Sequence, residues 1–455
     1  MSRRLVLLGS LLMLSSVLLF FDAGARGFSS NDQARFPVMA RDILVSGRWL
    51  LPEISGTPML NKPPLQAWFI ALVSWPAQAV TELTAVLPST VAALGVVLAT
   101  AMFGARYFDL TVGVVAGLVL LTMVGLFDLS RSPVPDMTLT LAISLAMAAF
   151  AAWELEARRR ALIVFYALTA VACWAKGPAG LIPLVAALIY ECMAYGRRGA
   201  RRLASPPGLA IFAALVVPWW ILAARTGGAG FARDVVMTDM LLRYFTLDGS
   251  LWRSVSRPFG QAVTALLPWS LVLPFALWPT AADTDSEPKP ATRLLLVWAA
   301  TVFVLTALLE RQRFRYYLPL CPPVALVIAV WLSRVRSRQR TAIFASLWIV
   351  IATTFAIGET VVVARREQGT NFRLVLAQLA SSPAPMFATD APDIVSAFYL
   401  GRAVVVLPSL EAFAQVPGPA YLITSEREAD RASPFRQAAT CRIGGRTYVL
   451  LRKQS

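Results

Sequence analysis

The chain has 455 residues, 57% of them hydrophobic, and its mean hydropathy of +0.63 excludes an ordinary soluble globular protein. Its 42 basic and 26 acidic residues give a formal net charge of +16. Much of the basic charge lies in short loops between apolar segments, where it orients a membrane protein, so nucleic-acid binding is not indicated. Many apolar stretches approach the ~20 residues that a spanning helix needs, and the sequence therefore predicts an α-helical polytopic membrane protein.

The first apolar segment, residues 4–22, follows two arginines, which place the N-terminus in the cytoplasm. The sequence Ala23-Gly24-Ala25 resembles a signal-peptidase site. Because the segment is long for a signal peptide, we expect an uncleaved helix, with the residues from 26 onward outside.

The outer loop at residues 30–64 carries an acid and a lysine. Ser30-Asn31 can begin an amphipathic helix with Asp32 in its first turn. Lys62 precedes two prolines, which favour an extended backbone. Asp32 could serve only as a helix cap and Lys62 only as an interfacial lysine, so each residue alone leaves an ordinary explanation open. We expect chemistry here because a polar loop with an acid and a cation lies beside a large apolar body.

Basic clusters at residues 158–160, 197–202 and 334–340 indicate the cytoplasmic side. Residues 65–80 are short and bounded by prolines, so we expect a juxtamembrane or re-entrant helix there, and a C-terminus outside. The eleven expected crossings are residues 4–22, 87–105, 111–127, 136–154, 161–175, 178–195, 208–224, 261–279, 293–309, 316–333 and 341–363.

This topology brings four polar stretches to the outer face with Asp32: residues 131–136, 176–178, 225–260 and 310–315. Asp136 starts a helix there and could be a cap, but two acids then reach one face from separate segments. Lys176 could belong to a tight turn, and Tyr316 with Tyr317 to an aromatic belt. The orientation rule does not require basic residues on this face, whereas an anionic ligand would; they are Arg131, Lys176, Arg243, Arg253, Arg257, Arg313 and Arg315.

The tail differs in character from the apolar body. Helical stretches alternate with short β-branched runs in residues 366–455, which predicts a small α/β domain on the outer face after a membrane domain of residues 1–365. The four cysteines have no CxxC spacing and the chain has no histidine, which argues against a disulfide framework or a Cys/His metal site. Acid–base chemistry must therefore use carboxylates, lysine or tyrosine.

Short motifs occur in a characteristic order along residues 1–335. They are Asp32-Gln33-Ala34-Arg35-Phe36, Ala40-Arg41-Asp42, Gly47-Arg48-Trp49, Lys62-Pro63-Pro64-Leu65 with Trp68, Asp136-Met137-Thr138-Leu139-Thr140, Lys176-Gly177-Pro178, Pro218-Trp219-Trp220, Arg243-Tyr244, Pro268-Trp269 and Tyr316 to Pro319. The ordered set resembles the lipid-linked-sugar glycosyltransferases of the GT-C class, most nearly the aminoarabinose transferases of lipid A and the bacterial protein-mannosyltransferase-like enzymes. The resemblance implies a GT-C-like fold with 11–13 transmembrane helices.

Two departures from the family pattern concern metal binding. The aminoarabinose transferases have a glutamate before the motif lysine and later histidines, which bind zinc. This chain has Asn61 at that position and no histidine, and Gln33 replaces the second acid of the first motif. We therefore predict no zinc site and no cofactor, although carboxylates alone could hold a divalent cation.

The resemblance implies a sugar donor carried on polyprenyl phosphate, in bacteria undecaprenyl phosphate. Asp32 would be the general base that removes the acceptor's proton, and Asp136 would orient the acceptor or the sugar. Cations would stabilise the leaving phosphate in a single displacement that inverts the anomeric carbon. The predicted phosphate ligands are Lys62, Arg131, Arg243, Arg313 and Arg315, and further site candidates are Arg35, Asn61, Lys176, Tyr316 and Tyr317.

The sequence leaves the acceptor open among lipid A, lipopolysaccharide core, another glycan or polyprenyl carrier, and protein. We expect a bacterial inner-membrane enzyme whose site and C-terminal domain face the periplasm. The main alternative is a secondary transporter or lipid flippase, although the chain lacks the repeated halves that many transporters show. A second alternative is a non-catalytic membrane scaffold.

Overall fold

The computed structural model describes residues 3–228, 231, 235, 251–278, 289–309, 312–334, 338–369, 371–430, 435–443 and 445–453. Within these ranges the chain is mainly helical and ends in a mixed sheet domain, which confirms the predicted fold class. The helices are α1 (Arg3–Phe20), α2 (Asn31–Ser46), α3 (Leu65–Ser74), α4 (Glu82–Tyr107), α5 (Leu110–Leu121), α6 (Val124–Leu129), α7 (Asp136–Glu156), α8 (Arg159–Lys176), α9 (Ile182–Tyr195), α10 (Arg197–Leu203), α11 (Pro206–Gly227), α12 (Leu251–Leu266), α13 (Leu273–Leu277), α14 (Pro290–Ala307), α15 (Cys321–Arg334), α16 (Arg338–Gly369), α17 (Phe372–Leu379), α18 (Asp393–Leu400), α19 (Leu410–Ala414) and α20 (Glu426–Ala429). The strands are β1 (Glu53–Ile54), β2 (Thr57–Pro58), β3 (Met386–Ala388), β4 (Val405–Val406), β5 (Ala420–Ser425), β6 (Arg436–Ile443) and β7 (Arg446–Lys453).

The chain forms two compact units. The first contains Met1–Phe21, Leu60–Leu65 and Pro88–Ala356, and the second contains Asp22–Met59, Gln66–Leu87 and Ile357–Ser455. The predicted outer loop therefore contributes to both units, and most of it groups with the C-terminal residues. The division of the chain at residue 365 stays a prediction.

Seven apolar stretches among the described residues are long enough to cross a membrane, which makes this a multi-pass membrane protein. They are Glu82–Tyr107, Asp136–Glu156, Arg159–Tyr195, Pro206–Gly227, Pro290–Ala307, Phe314–Arg334 and Ala342–Arg365, and three shorter apolar helices are Arg4–Phe20, Leu65–Ala77 and Leu110–Leu121. The predicted crossing 111–127 is divided between α5 and α6, and the predicted crossing 261–279 is divided near Pro268, which cannot donate a helical hydrogen bond. The count of eleven crossings stays a prediction.

The third of these stretches contains two antiparallel helices, α8 and α9. At the end of α8, Lys176 contacts Asp136 at the start of α7. At the end of α9, the hydroxyl of Tyr195 donates to Oε1 of Glu154 near the other end of α7, at 2.6 Å. The chain reverses at Gly177, whose φ of +57° suits glycine. The sequence predicted this separation into two segments.

The second unit is built on the sheet β4-β3-β5-β7-β6, with β3, β4 and β5 parallel and β6 and β7 antiparallel to their neighbours. Alternate residues of one strand pack on opposite faces, as the pleat requires. Ile423 belongs to a core shared with α2, α17 and α18, whereas Leu422 belongs to a smaller core with Phe413 of α19. The C-terminal domain thus covers the apolar face of α2, including Phe36 and Met39.

Candidate functional site

Asp136 is a buried acid at the first position of α7. Asp136 as a whole is 2% exposed, and the positive end of the helix dipole favours a carboxylate at this position. The preceding turn is fixed by α4, because the hydroxyl of Thr90 donates to the carbonyl of Ser130 (2.9 Å) and that of Ser89 to the carbonyl of Val134 (3.3 Å). The acid is therefore held at a defined place at one end of the bundle.

Lys176 brings a cation to this acid from the end of α8. Its Nζ lies 2.5 Å from Oδ1 of Asp136 and 4.3 Å from the ring centroid of Tyr316. A cation is favourable at the C-terminus of a helix, and the aromatic face adds attraction. Three separate segments thus meet in a cluster of an acid, a lysine and a tyrosine. Because the sequence predicts these three residues on the outer face, we call them the outer cluster.

The tyrosine of the outer cluster belongs to a 3₁₀ segment, Phe314–Leu320, that leads into α15. Arg315 lies beside it, with Cζ 5.5 Å from the ring centroid of Tyr316. The next side chain, Tyr317, is fully buried, and its hydroxyl donates to Oε1 of Gln312 at 2.8 Å. Tyr317 therefore anchors the segment, while Arg313 is exposed at its start.

Arg131 is buried among backbone carbonyls. Nη2 donates to the carbonyls of Leu18 (2.6 Å) and Phe21 (3.1 Å) at the end of α1, and Nη1 donates to the carbonyl of Phe127 (3.0 Å). The guanidinium also lies 3.8 Å from the ring centroid of Phe127. These bonds satisfy carbonyls that a helix C-terminus leaves without partners. The role of Arg131 as a phosphate ligand stays a prediction.

Asn61 and Lys62 are partly buried in the same compact unit as the outer cluster. They lie between β2 and α3, before the buried Pro63 and Pro64. Their predicted roles remain untested. Arg243, another predicted phosphate ligand, lies outside the described residues.

Asp32 and Arg35 lie in the second unit, in the first turns of α2. Nη1 of Arg35 is 3.4 Å from Oδ1 of Asp32, and about a quarter of each side chain is exposed, 25% and 26% respectively. Gln33 replaces the second acid of the motif, and its Oε1 accepts from the backbone N–H of Ser29 at 2.9 Å. Asp32 is thus an accessible carboxylate, while Gln33 fixes the turn before it.

Asn31, which sequence reasoning gave no role in the site, caps a helix of the C-terminal domain. Its Oδ1 accepts the backbone N–H groups of Ile394 (3.1 Å) and Val395 (3.2 Å), and its Nδ2 donates to Oδ1 of Asp393 (2.8 Å). The first turn of α18 therefore takes its cap from α2, which carries Asp32.

Arg41 holds the other end of the same helix. Its Nη1 donates to the carbonyls of Ala397 (2.9 Å) and Phe398 (3.2 Å). Burial lowers the pKa of Arg41, although the charge of Asp42 opposes that change. In the sequence, Arg41 stands out only as part of the Ala40-Arg41-Asp42 motif. Its bond to α18 could not be predicted, because the partner Ala397 is 356 residues away along the chain.

The residues of this chain do not fit the zinc site that the family resemblance implies. The motif position holds Asn61, and the chain has no histidine. Among the described residues, no group of three or more Asp, Glu, Cys or His side chains could hold a metal ion. The absence of a cofactor stays a prediction.

A model of the family described as dolichyl-phosphate-mannose-protein mannosyltransferase matches residues 61–222. The undecaprenyl phosphate-α-4-amino-4-deoxy-L-arabinose arabinosyl transferase of Aeromonas salmonicida is 25% identical over 320 residues, which are 66% of this chain and 55% of that protein. The chain thus spans little more than half the length of such curated relatives.

Two solved structures share the fold. The structure of ArnT from Cupriavidus metallidurans bound to undecaprenyl phosphate has a TM-score of 0.80 at 17% identity, covering 98% of this chain and 97% of that one. The oligosaccharyltransferase AglB of Archaeoglobus fulgidus, in complex with an inhibitory peptide and a dolichol-phosphate, has a TM-score of 0.61 at 13% identity, covering 93% and 69%. The chain therefore has the GT-C fold, and its predicted resemblance to the polyprenyl-phosphate-sugar glycosyltransferases of that class is confirmed.

Proposed function

We propose that the protein is a membrane glycosyltransferase that moves a sugar from polyprenyl phosphate to an acceptor outside the cytoplasm. The observation that carries this proposal is the outer cluster, in which Asp136, Lys176 and Tyr316 meet from three segments of an apolar bundle. Ionisable groups at a membrane boundary are costly and are functional candidates by default. The relatives that act on, or were solved with, undecaprenyl phosphate support the same ligand class.

The general base is Asp32 rather than Asp136. Asp136 is buried and its Oδ1 is engaged by Lys176, whereas about a quarter of the Asp32 side chain is exposed, which leaves it accessible to an acceptor. In this scheme Asp32 removes the acceptor's proton as the acceptor oxygen attacks the anomeric carbon. If the acceptor is a phosphate, Asp32 positions it instead. Asp136 orients the sugar or the acceptor.

The cations bind the lipid phosphate as it leaves. Arg313 is exposed, and Arg315 is partly exposed beside the outer cluster, so these two are the better-placed phosphate ligands of that segment. Lys62 is the third proposed ligand, because the proline pair that follows it restricts its backbone. A positive charge near the leaving oxygen lowers the energy of the transition state more than that of the ground state. The single displacement inverts the anomeric centre.

The acceptor is a glycolipid, a glycan or a protein, and the protein would lie in the bacterial inner membrane with this site facing the periplasm. The orientation follows from the arginine-rich loops at residues 158–160 and 197–202, which belong on the cytoplasmic side. The outer cluster lies at the opposite ends of α7 and α8 from these loops.

The deciding experiment follows the release of labelled sugar from polyprenyl-phosphate donors by the purified protein, with membrane extract supplying acceptors. Asp32→Asn should lower the rate constant by a factor of about 10² to 10⁴ while donor binding persists. Lys62→Ala should weaken donor binding. The matched control is Asp42→Asn, because Asp42 lies on the same helix and also pairs with an arginine, Arg48, at 2.7 Å, but has no proposed role in the reaction.

Three outcomes would contradict the proposal. Equal activity of wild type and Asp32→Asn would show that Asp32 is not the general base. Retention of configuration at the anomeric carbon would exclude a single displacement. If no donor is consumed although the protein moves labelled lipid between leaflets of a vesicle, the molecule is a lipid transporter. Divalent-cation dependence is read in the same assay by adding a chelator.

A further inference from the structure

An apolar groove of about 420 Å³ lies between α9 and α14, away from the outer cluster. Val185, Met193, Ala300 and Val304 are among its lining residues, and its polar side chains are Arg293 and Thr301. The hydroxyl of Thr301 donates to the carbonyl of Val297 at 2.7 Å, so this polar group is satisfied within its own helix. Along most of its length, the groove therefore suits a hydrocarbon chain.

The groove has one charged end. Arg293 lies in the first turn of α14. Beyond the other end of α14, the side chain of Gln312 donates to the carbonyls of Thr306 (3.1 Å) and Ala307 (3.2 Å), and Tyr316 of the next segment contacts Lys176 shortly before α9 begins. The end of α14 therefore lies toward the start of α9, so the two helices run antiparallel, with Arg293 toward Met193 and the apolar end of the groove toward Val304. From Arg293 to Leu305 the helix rises ~18 Å, about the depth of one leaflet of a bilayer.

More positive charge surrounds that end. The helix α10 follows α9 directly, and its Arg197, Arg198 and Arg201 side chains are exposed. The buried glutamates nearby, Glu154 and Glu191, are both held by Arg202, at 2.7 and 3.1 Å. The mouth of the groove therefore presents an excess of arginine charge. Basic pockets between transmembrane helices on the cytoplasmic side favour anionic lipid headgroups.

We propose that this groove binds an anionic phospholipid, with one acyl chain along α9 and α14 and the headgroup phosphate at Arg293. The site is separate from the proposed transfer chemistry, because Arg293 starts the helix whose other end leads toward the outer segment at residues 312–320. The proposal does not depend on the proposed function.

The test counts lipids retained by the purified full-length protein in native mass spectrometry. Phosphatidylglycerol and phosphatidylcholine with identical palmitoyl and oleoyl chains are the probes. Wild type should retain phosphatidylglycerol about five-fold better, as expected for one basic residue at a lipid headgroup. Arg293→Gln should lower the preference by about that factor, leaving only what the exposed arginines of α10 contribute, and Arg293→Lys should keep the preference. Ala300→Trp should fill the groove and reduce retention of both lipids.

Arg160→Gln is the matched control, because it removes an exposed arginine at the start of another helix. It should leave the lipid preference unchanged, and monodisperse elution shows that each variant is folded. Equal retention of both lipids by wild type, an unchanged preference in Arg293→Gln or unchanged retention in Ala300→Trp would overturn the proposal. Displacement of phosphatidylglycerol by equimolar undecaprenyl phosphate would also overturn it, because the groove would then hold the lipid carrier.

Discussion

Lys176 and Asp136 form a 2.5 Å ion pair between the end of α8 and the start of α7. The carboxylate side chain is 3% exposed and the lysine side chain 24%, so the pair is largely removed from water. Each charge also lies at the helix end that favours its sign. The pair therefore fixes the turn between α8 and α9 to the N-terminal end of α7.

Lys176→Met should cost about 2–3 kcal/mol of stability, because it leaves the Asp136 carboxylate buried without its partner. Removing both charges in Lys176→Met/Asp136→Leu should recover much of that loss. The measurement is a double-mutant cycle on unfolding in detergent, with donor consumption followed in parallel. Additive single losses would show that the two side chains are not coupled. If stability recovers in the double variant while transfer does not, the pair has a role beyond folding.

A second prediction concerns the cap that Asn31 gives to α18. Asn31→Ala should cost about 1 kcal/mol and should raise amide exchange at Ile394 and Val395, whose N–H groups lose their acceptor. Hydrogen exchange with mass spectrometry measures both effects in the full-length protein.

The control for this prediction is Ser409→Ala, which removes a local cap on α19 in the same domain, where Ser409 Oγ accepts from the N–H of Ala412. It should leave exchange in α18 unchanged. Unchanged exchange at Ile394 in Asn31→Ala would mean that α2 does not support α18.

The sequence predicted features that depend on local patterns. The β-branched runs of the tail correspond to β3 to β7. They could be predicted because the preference of β-branched residues for strands is a property of each short segment by itself. The end of α2 before Gly47 follows from a capping preference, since Gly47 adopts φ +71°. Its start at Asn31 also agrees with the prediction, although Ser30 makes no side-chain capping hydrogen bond there. Residues 65–80 contain a helix of only 10 residues, as their length and flanking prolines indicated.

Contacts between distant segments could not be predicted. Asp136 and Lys176 were both expected on the outer face, but hydropathy does not reveal that they pair across 40 residues. Arg131 was expected to bind phosphate because of its sign and position. Its observed bonds to the carbonyls of Leu18 and Phe21 depend on how α1 ends against α6, which only the packed bundle determines.

A third prediction concerns the buried pair of Arg26 and Glu359. Nε of Arg26 donates to Oε1 of Glu359 at 2.8 Å, and Nη2 lies 2.5 Å from Oε2, a two-point contact that lysine cannot reproduce. Arg26→Met should cost about 3 kcal/mol, because the Glu359 side chain is fully buried. Arg26→Lys should recover only part of that loss.

The comparison for this pair is Arg48→Met, which breaks the exposed contact with Asp42 at 2.7 Å. Water screens an exposed pair, so this loss should be clearly smaller than that of Arg26→Met. Unfolding in detergent measures all three variants. Equal losses in Arg26→Met and Arg48→Met would contradict the argument from burial.

The thiol of Cys441 provides a test of the C-terminal core. The residue is fully buried in β6, and burial raises the pKa of its thiol to about 11. In an unfolded chain the pKa of a thiol is about 8.5. Because the folded pKa is the higher one, the thiol's contribution to stability is complete below about pH 8.5 and is lost as the pH rises toward 11. Stability should therefore fall more steeply between about pH 9 and pH 11 in wild type than in Cys441→Ala.

The reactivity of the same thiol can be measured in a single-cysteine protein, with Cys173, Cys192 and Cys321 replaced by Ala. At pH 8, Cys441 should react with maleimide about a hundred-fold more slowly in the folded protein than in denaturant, since only the thiolate reacts. Equal rates in both conditions would place Cys441 at the surface and contradict the packing of the domain.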